Sequence, residues 1–368
     1  MQRFPLTVMT VLLAAISVAW SASELPPFEA LDKDRDGRLS KLELPVELQG
    51  FFDKVDRDGD GFVSRLEDRG VRAFLRKQAD APPLAGVEVV KNVDYVGDGN
   101  TRQMLDIYRP KVRGDAPLPV VCWIHGGGWR QGSKDRARRL EELVATGNYA
   151  GVSIGYRLTQ EATWPAQIHD CKAAIRWLKA NAEEYGLDAS RVAVWGASAG
   201  GHLVAMLGVS QEDPKLEGKL GEHLDESSSV RCVVNFFGPS ELLVMDEQGS
   251  VMNHSGPNSP ESLLVGGPIA QFPEVAKEAS PIHHVDGKAA PMLLVHGTSD
   301  KLVPYGQSLK LSKALQSADV EAPLITIKGG GHGNGFGRSV DRVVAQYLGQ
   351  QLLGEAGRVG SQEFRTGE

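Results

Sequence analysis

Three side chains in this 368-residue chain are of the types that together cleave an acyl bond: Ser198, Asp300 and His332. Ser198 lies in Gly196-Ala197-Ser198-Ala199-Gly200, a G-x-S-x-G pattern. Arg191–Trp195 before it reads as a short buried strand, and the apolar run from Gly201 to Leu207 opens a helix. That context predicts a sharp strand-to-helix turn with the hydroxyl held outward, and the glycines let strand and helix pass closely. A serine hydroxyl is a weak nucleophile unless a base takes its proton, and the base needs a carboxylate to fix its tautomer. Downstream, the strand-like Met292–His296 runs into Gly297-Thr298-Ser299-Asp300, and Pro323–Ile327 leads to Gly329-Gly330-Gly331-His332-Gly333. Both residues therefore fall on loops just beyond strands. Upstream, the apolar run Pro119–Ile124 enters His125-Gly126-Gly127-Gly128-Trp129, an N–H-rich loop suited to holding an oxyanion.

The order Ser, Asp, His along the chain is the one used by α/β-hydrolases. Asp300 could instead cap the helix expected from about Tyr305 to Ser317, and His332 is one of nine histidines. Among the others, His125, His202 and His296 are expected to be structural, with their rings bonded to loop backbone. His169, His254, His283 and His284 have no strand-end context.

A second chemistry stands nearer the start. Asp32, Asp34 and Asp36 are followed by Gly37, Arg38, Ser40 and Glu43, which fill positions 1, 3, 5, 6, 7, 9 and 12 of an EF-hand loop. Asp56, Asp58, Asp60, Gly61, Phe62, Ser64 and Glu67 repeat the pattern. Calcium prefers oxygen ligands, so the expected metal ligands are the six aspartates, Glu43 and Glu67, and the carbonyls of Arg38 and Phe62. Ser40 and Ser64 would reach the ion directly or through water. The loops lie too close for four separate helices, and Leu44–Phe52 is expected as one shared short helix. A compact structural calcium module follows, rather than a switch. Dockerin modules also pair such loops but usually close them with aspartate, so protein docking stays a minor alternative.

From about Val87 to Leu353 the chain resembles serine esterases of the α/β-hydrolase fold, near the hormone-sensitive-lipase and bacterial feruloyl-esterase-like groups. The likeness extends beyond the triad to Leu105-Asp106-Ile107-Tyr108, Ile154-Gly155-Tyr156-Arg157-Leu158 and Pro165-Ala166-Gln167-Ile168-His169-Asp170. It implies Ser198 as nucleophile, His332 as base and Asp300 as its orienter. It also implies an oxyanion hole from the N–H groups of Gly127, Gly128 and Ala199, with the choice of two among Gly126, Gly127 and Gly128 left open. The expected fold is α/β, a doubly wound, mostly parallel sheet preceded by a small α-helical EF-hand-like module.

Composition fits that reading. The formal net charge of −7 comes without a basic block, which argues against nucleic acid as a partner, and 7% aromatics give no hint of a stacked carbohydrate platform. Arg3 followed by the apolar Leu6–Val18 reads as an export signal over residues 1–23, cleaved after Ala19-Trp20-Ser21 or Ser21-Ala22-Ser23. A secreted or periplasmic protein without a stable membrane anchor is expected, because the apolar run is short for a bilayer span. The module then covers 24–78, a linker 79–86, the catalytic domain 87–353 and a flexible tail 354–368. Cys122, Cys171 and Cys232 are expected to be buried and inert, with a Cys122–Cys232 bridge as the alternative. The insertion Gly238–Pro291 is expected to cover the site.

The expected activity is hydrolysis of carboxylic esters through an acyl-serine, on short acyl or feruloyl and acetyl esters of plant polysaccharides, with no cofactor in the chemistry. An arylformamidase or dipeptidyl-type peptidase would use the same triad. A docking protein would work through residues 24–78 alone.

Overall fold

The computed structural model describes residues 26–44, 49, 52–79, 82–135, 137–211 and 213–368. The expected export signal lies outside them. Among the described residues no helix is long and apolar enough to cross a membrane. The chain divides into two compact units at Pro82/Pro83.

The first unit is built on its two acidic loops. A four-residue helix, Phe28–Leu31, enters the first loop, and Phe52–Val55 enters the second. Most of the expected shared helix over Leu44–Phe52 lies outside the described residues. Strands β1 (Arg38–Leu39) and β2 (Val63–Ser64) pair antiparallel, with Leu39 opposite Val63. Those two apolar side chains are fully buried and tie the loops back to back. Helix Arg65–Ala79 leaves the second loop, with Glu67 and Asp68 in its first turn where the helix dipole favours acids.

The second unit is a nine-stranded sheet in the order β11-β10-β9-β8-β7-β5-β6-β4-β3. Its strands are β3 (Val87–Asp94), β4 (Met104–Pro110), β5 (Leu118–Ile124), β6 (Ala150–Ile154), β7 (Leu187–Ala197), β8 (Cys232–Phe236), β9 (Met292–Gly297), β10 (Leu324–Lys328) and β11 (Gln362–Arg365). Only β4 runs antiparallel to its neighbours β3 and β6. Central strands read as unbroken apolar runs because both faces are covered. In β5 the alternation decides the face: Val120, Cys122 and Ile124 join the core beneath helices Ala166–Ala180 and Ala199–Val209, whereas Val121 and Trp123 join the core under Arg138–Val144 and Arg338–Leu348.

The strand order reverses between β5 and β7. From β5 the chain moves one way to β6, and from β7 it moves the other way through β8, β9 and β10. Ligands of open α/β sheets bind at such a switch point, outside the carboxyl ends of the strands.

Two expectations need correction or completion. Residues 354–368 were expected as a flexible tail, but Gln362–Arg365 adds β11 in parallel to β10, and the Glu368 carbonyl accepts the Ser339 N–H at 3.0 Å. This strand is short, polar and at the sheet edge, so it carries no apolar alternation to announce it. The insertion is a set of short helices, Pro260–Val265 and Pro273–Glu278 among them, whose Leu264, Val265, Ile269, Ala276 and Ala279 pack into the main core. The three cysteines are free and buried. Burial pushes the Cys122 thiol up to about 12 and Cys171 and Cys232 also upward, which keeps them protonated and unreactive.

Candidate active site

Ser198 follows directly on β7 and precedes the helix Ala199–Val209. Its backbone is at φ 57°, ψ −122°, a strained conformation for a residue with a side chain. The surroundings hold it there: its N–H donates to the Phe236 carbonyl at 2.9 Å, and its carbonyl accepts from His202 N–H at 2.9 Å. The flanking glycines are sterically required. A Cβ on Gly200 would stand 2.1 Å from the Ile124 carbonyl oxygen, and one on Gly196 would stand 2.3 Å from the Gly200 oxygen.

The loop after β5 runs alongside. A Cβ on Gly126 would lie 3.3 Å from the Ser198 Cβ and 2.7 Å from the Ala197 oxygen. Gly127 and Gly128 take φ 111° and 58°. Among the described residues no turn or loop bond to a backbone carbonyl engages the N–H of Gly126, Gly127, Gly128 or Ala199. Trp129 is buried and its indole N–H donates to His202 Nδ1 at 3.2 Å, while His202 Nε2 faces the Ala279 carbonyl. His202 is thereby fixed as the neutral Nε2–H tautomer, and burial pushes its pKa down to about 4.

Asp300 and His332 meet. His332 Nδ1 lies 2.7 Å from Asp300 Oδ2, which leaves Nε2 as the ring nitrogen available to a reacting hydroxyl. The Asp300 side chain is fully buried and its Oδ1 accepts the N–H groups of Leu302 (2.9 Å) and Val303 (3.0 Å). The helix-cap alternative is not realised, since the following helix starts at Gly306 with Tyr305 at its N-cap; the carboxylate instead orders its own loop and holds His332. Burial by itself would raise this carboxyl. The charge of His332 and hydrogen bonds from His296 and His332 outweigh it and hold Asp300 well below the usual carboxylate range.

His296 contributes more than loop bonding. Its Nε2 is 2.9 Å from the Val303 carbonyl and 3.3 Å from Asp300 Oδ2, both acceptors, so Nε2 carries the proton. Its Nδ1 accepts from Ser308 Oγ at 2.7 Å. The ring thus braces the acid against the start of the helix Gly306–Ser317. His125, by contrast, bonds loop backbone (Gly126 carbonyl, 2.8 Å) and stacks on Tyr156.

A further support comes from the insertion, which has no strand-end context. His254 Nδ1 is 3.0 Å from Glu261 Oε1, both side chains being buried, and its Nε2 is 3.0 Å from the Leu302 carbonyl on the Asp300 loop. Glu261 raises the His254 pKa against the opposing effect of burial. The neighbouring Pro260 packs against the glycine loop, 3.2 Å from where a Cβ of Gly128 would be. One short helix therefore touches both the oxyanion-side loop and, through His254, the acid loop.

In the first unit the expected ligands also converge. The side-chain oxygens of Asp32, Asp34 and Asp36 lie within 4.8 Å of one another, as do those of Asp56, Asp58 and Asp60. Asp32 Oδ2 accepts from Gly37 N–H and Asp56 Oδ2 from Gly61 N–H, both glycines at φ 86°. Glu43 and Glu67 close the loops alike, each taking the Ser40 or Ser64 N–H and hydroxyl at 2.8 Å. The Ser40 backbone hydrogen bond leads in lowering the Glu43 pKa. Arg38 and Phe62 pair across the loops, the guanidinium 4.0 Å over the ring. Asp32 Oδ1 is buried with no hydrogen-bond partner among the described residues, a cost that a cation would remove. The donor set is all oxygen and fits calcium.

A profile of the BD-FAE family matches residues 105–315, more than half of the chain. The chain belongs to the BD-FAE family. EF-hand profiles match residues 27–44 and 48–67, the two acidic loops. Esterase LipC of Mycobacterium tuberculosis is 33% identical over 262 residues, and the chain covers 63% of its length. Among solved structures, a truncated carbohydrate esterase from gut microbiota is 32% identical with a TM-score of 0.66, the match covering 72% of this chain and 96% of that one. Thermogutta terrifontis esterase 2 phosphonylated by sarin is 25% identical with a TM-score of 0.58, covering 77% of this chain and 99% of that one. The second unit is thus an esterase domain of the α/β-hydrolase fold, carried behind EF-hand motifs.

Proposed function

We propose that this protein is an exported carboxylic-ester hydrolase in which Ser198, His332 and Asp300 form the catalytic triad. The observation that carries the reading is His332 Nδ1 on a buried Asp300, both on loops at the carboxyl edge that also holds the strained Ser198. Ser198 Oγ attacks the ester carbonyl and passes its proton to His332 Nε2. Asp300 keeps the ring in the right tautomer and stabilises the imidazolium. The N–H groups of Gly127, Gly128 and Ala199 hold the developing oxyanion. Collapse expels the alcohol, which takes the proton from His332. Water then enters by the same path and frees the acid.

Acetyl or feruloyl esters of plant polysaccharides are the substrates we favour, supported by the likeness to a gut-microbial carbohydrate esterase. In the first unit, Asp32, Asp34, Asp36, Glu43 and the Arg38 carbonyl would hold one calcium ion, and Asp56, Asp58, Asp60, Glu67 and the Phe62 carbonyl another. The ions would stabilise the loops and take no part in the chemistry.

The test is turnover of p-nitrophenyl acetate and butyrate by the wild type and by Ser198→Ala. Loss of roughly 10⁵-fold or more in kcat is expected for the variant. An alkyl phosphonate should add to the Ser198 peptide by mass spectrometry and to no peptide of the variant. Turnover that survives in Ser198→Ala, or labelling elsewhere, would rule the assignment out.

A further inference from the structure

The residue that follows β8 is Phe237, and its backbone stands at φ 41°. A positive φ is a genuine outlier for a bulky side chain, and such strain persists only where the surroundings impose it. Here they do. The Phe237 N–H donates to the Val295 carbonyl at 2.9 Å, and the next residue, Gly238, donates to Asn235 Oδ1 at 2.9 Å. Gly238 leaves no room for a side chain, because a Cβ there would stand 2.4 Å from the Gly201 backbone.

What the strained backbone achieves is the direction of the ring. The buried Phe237 ring lies with its centroid 4.4 Å from that of His332, tilted by 55°. On another side it stands 6.2 Å from His296. The two histidines that approach Asp300 Oδ2 thus share one aromatic neighbour. Gly333, the residue after His332, sits over the tip of the same ring, 3.2 Å from Cζ to where its Cβ would be. Phe336 closes the cluster at 5.5 Å. His332 is partly exposed, and among the described residues its polar partner is Asp300. A single hydrogen bond lets a ring rock about that bond. A second surface is needed to fix its plane.

We propose that Phe237 is a positioning residue for His332: its ring fixes the plane of the imidazole so that Nε2 stays directed at the serine while Nδ1 remains on Asp300. An aromatic face within about 6 Å also favours a cation, so the same ring helps the imidazolium that forms during attack. The groups facing His332 are then the Asp300 carboxylate on one side and Phe237 on another, with His296 beyond Asp300. This inference rests on His332 being the general base.

The experiment compares wild type, Phe237→Leu, Phe237→Met, Phe237→Tyr and His332→Gln on p-nitrophenyl acetate, with full pH profiles and thermal midpoints. In Phe237→Leu and Phe237→Met, kcat should fall by about 10- to 100-fold with KM within twofold, as expected when a reacting group loses its alignment. The pH profiles serve to compare kcat on the plateau of each chain. Phe237→Tyr keeps an aromatic face and should stay within about threefold of wild type. The flexible methionine fills the same space and carries the test should the leucine chain fail to fold. Leucine or methionine variants at wild-type kcat, or a tyrosine variant as impaired as they are, would overturn the role of the ring. Unchanged turnover in His332→Gln would instead remove the general base itself, a result distinct from either.

Discussion

The two units of this chain assemble their polar sites by opposite routes. In the EF-hand unit every expected side-chain ligand of a loop falls within twelve consecutive residues, and the loop's own backbone orders them: Gly37 N–H on Asp32, Arg38 N–H on Asp36, Ser40 N–H on Glu43. In the esterase domain Ser198, Asp300 and His332 are far apart in the chain and follow β7, β9 and β10, neighbours in one sheet or one strand removed, with His332 bonded to Asp300. A local site needs a loop of the right composition. A distributed site needs the whole fold, and it draws further supports from wherever the fold brings them, such as His296 beneath Asp300 and His254 against Leu302.

The largest expected contrast comes from removing one carboxylate in each unit. Asp300→Asn should lower kcat/KM by about 10⁴-fold, because the amide presents the wrong partner to His332 Nδ1. Asp56→Asn should leave kcat within twofold while lowering the thermal midpoint of the first unit. Equal loss of turnover in both would mean that the units do not separate structure from chemistry.

Acid should act on the esterase domain first. His202 has a folded pKa of about 4 against an ordinary 6.5, so the unfolded chain binds the proton more readily. The stability this group supplies is complete above pH 6.5 and is lost as pH falls towards about 4, roughly 3 kcal/mol in all. Glu43 and Glu67, both held below the ordinary glutamate value, stay ionised through most of that window. Melting curves from pH 7 to pH 4 should therefore show the esterase transition falling, and falling less in a His202→Gln chain measured against its own midpoint at pH 7.

Chelation should give the smallest effect on turnover. Stripping divalent cations is expected to lower only the transition of the first unit, since a bound ion stabilises by about 4 kcal/mol when present at a thousand times its Kd. A fall of kcat beyond twofold on chelation would break the division of labour.

Legibility followed the same divide. The EF-hand loops could be read residue by residue, because glycine at position 6 and oxygens at fixed offsets are local requirements. Ser198 was legible because its turn imposes glycines on the adjoining sequence, and Asp300 and His332 because each follows an apolar strand. His296 was read as loop-bonding only, since its second partner depends on how far the Asp300 loop curls back. Phe237 and His254 carried no signal: one is an aromatic after a strand, the other a histidine in an irregular insertion, and their roles arise from distant chain. The edge strand Gln362–Arg365 escaped for a different reason, its polar composition being what an exposed edge demands.

The two-residue ladder between the acidic loops has a consequence for occupancy. Leu39 and Val63 face each other in β1 and β2, so a displacement of one loop moves the strand of the other. With two cations bound as proposed, whatever entropy the first would spend in ordering its own loop would be spent for the second as well. Titration should then be steep, with a Hill coefficient above one. Cutting back Leu39 to alanine should flatten it to two independent sites without touching a single ligand.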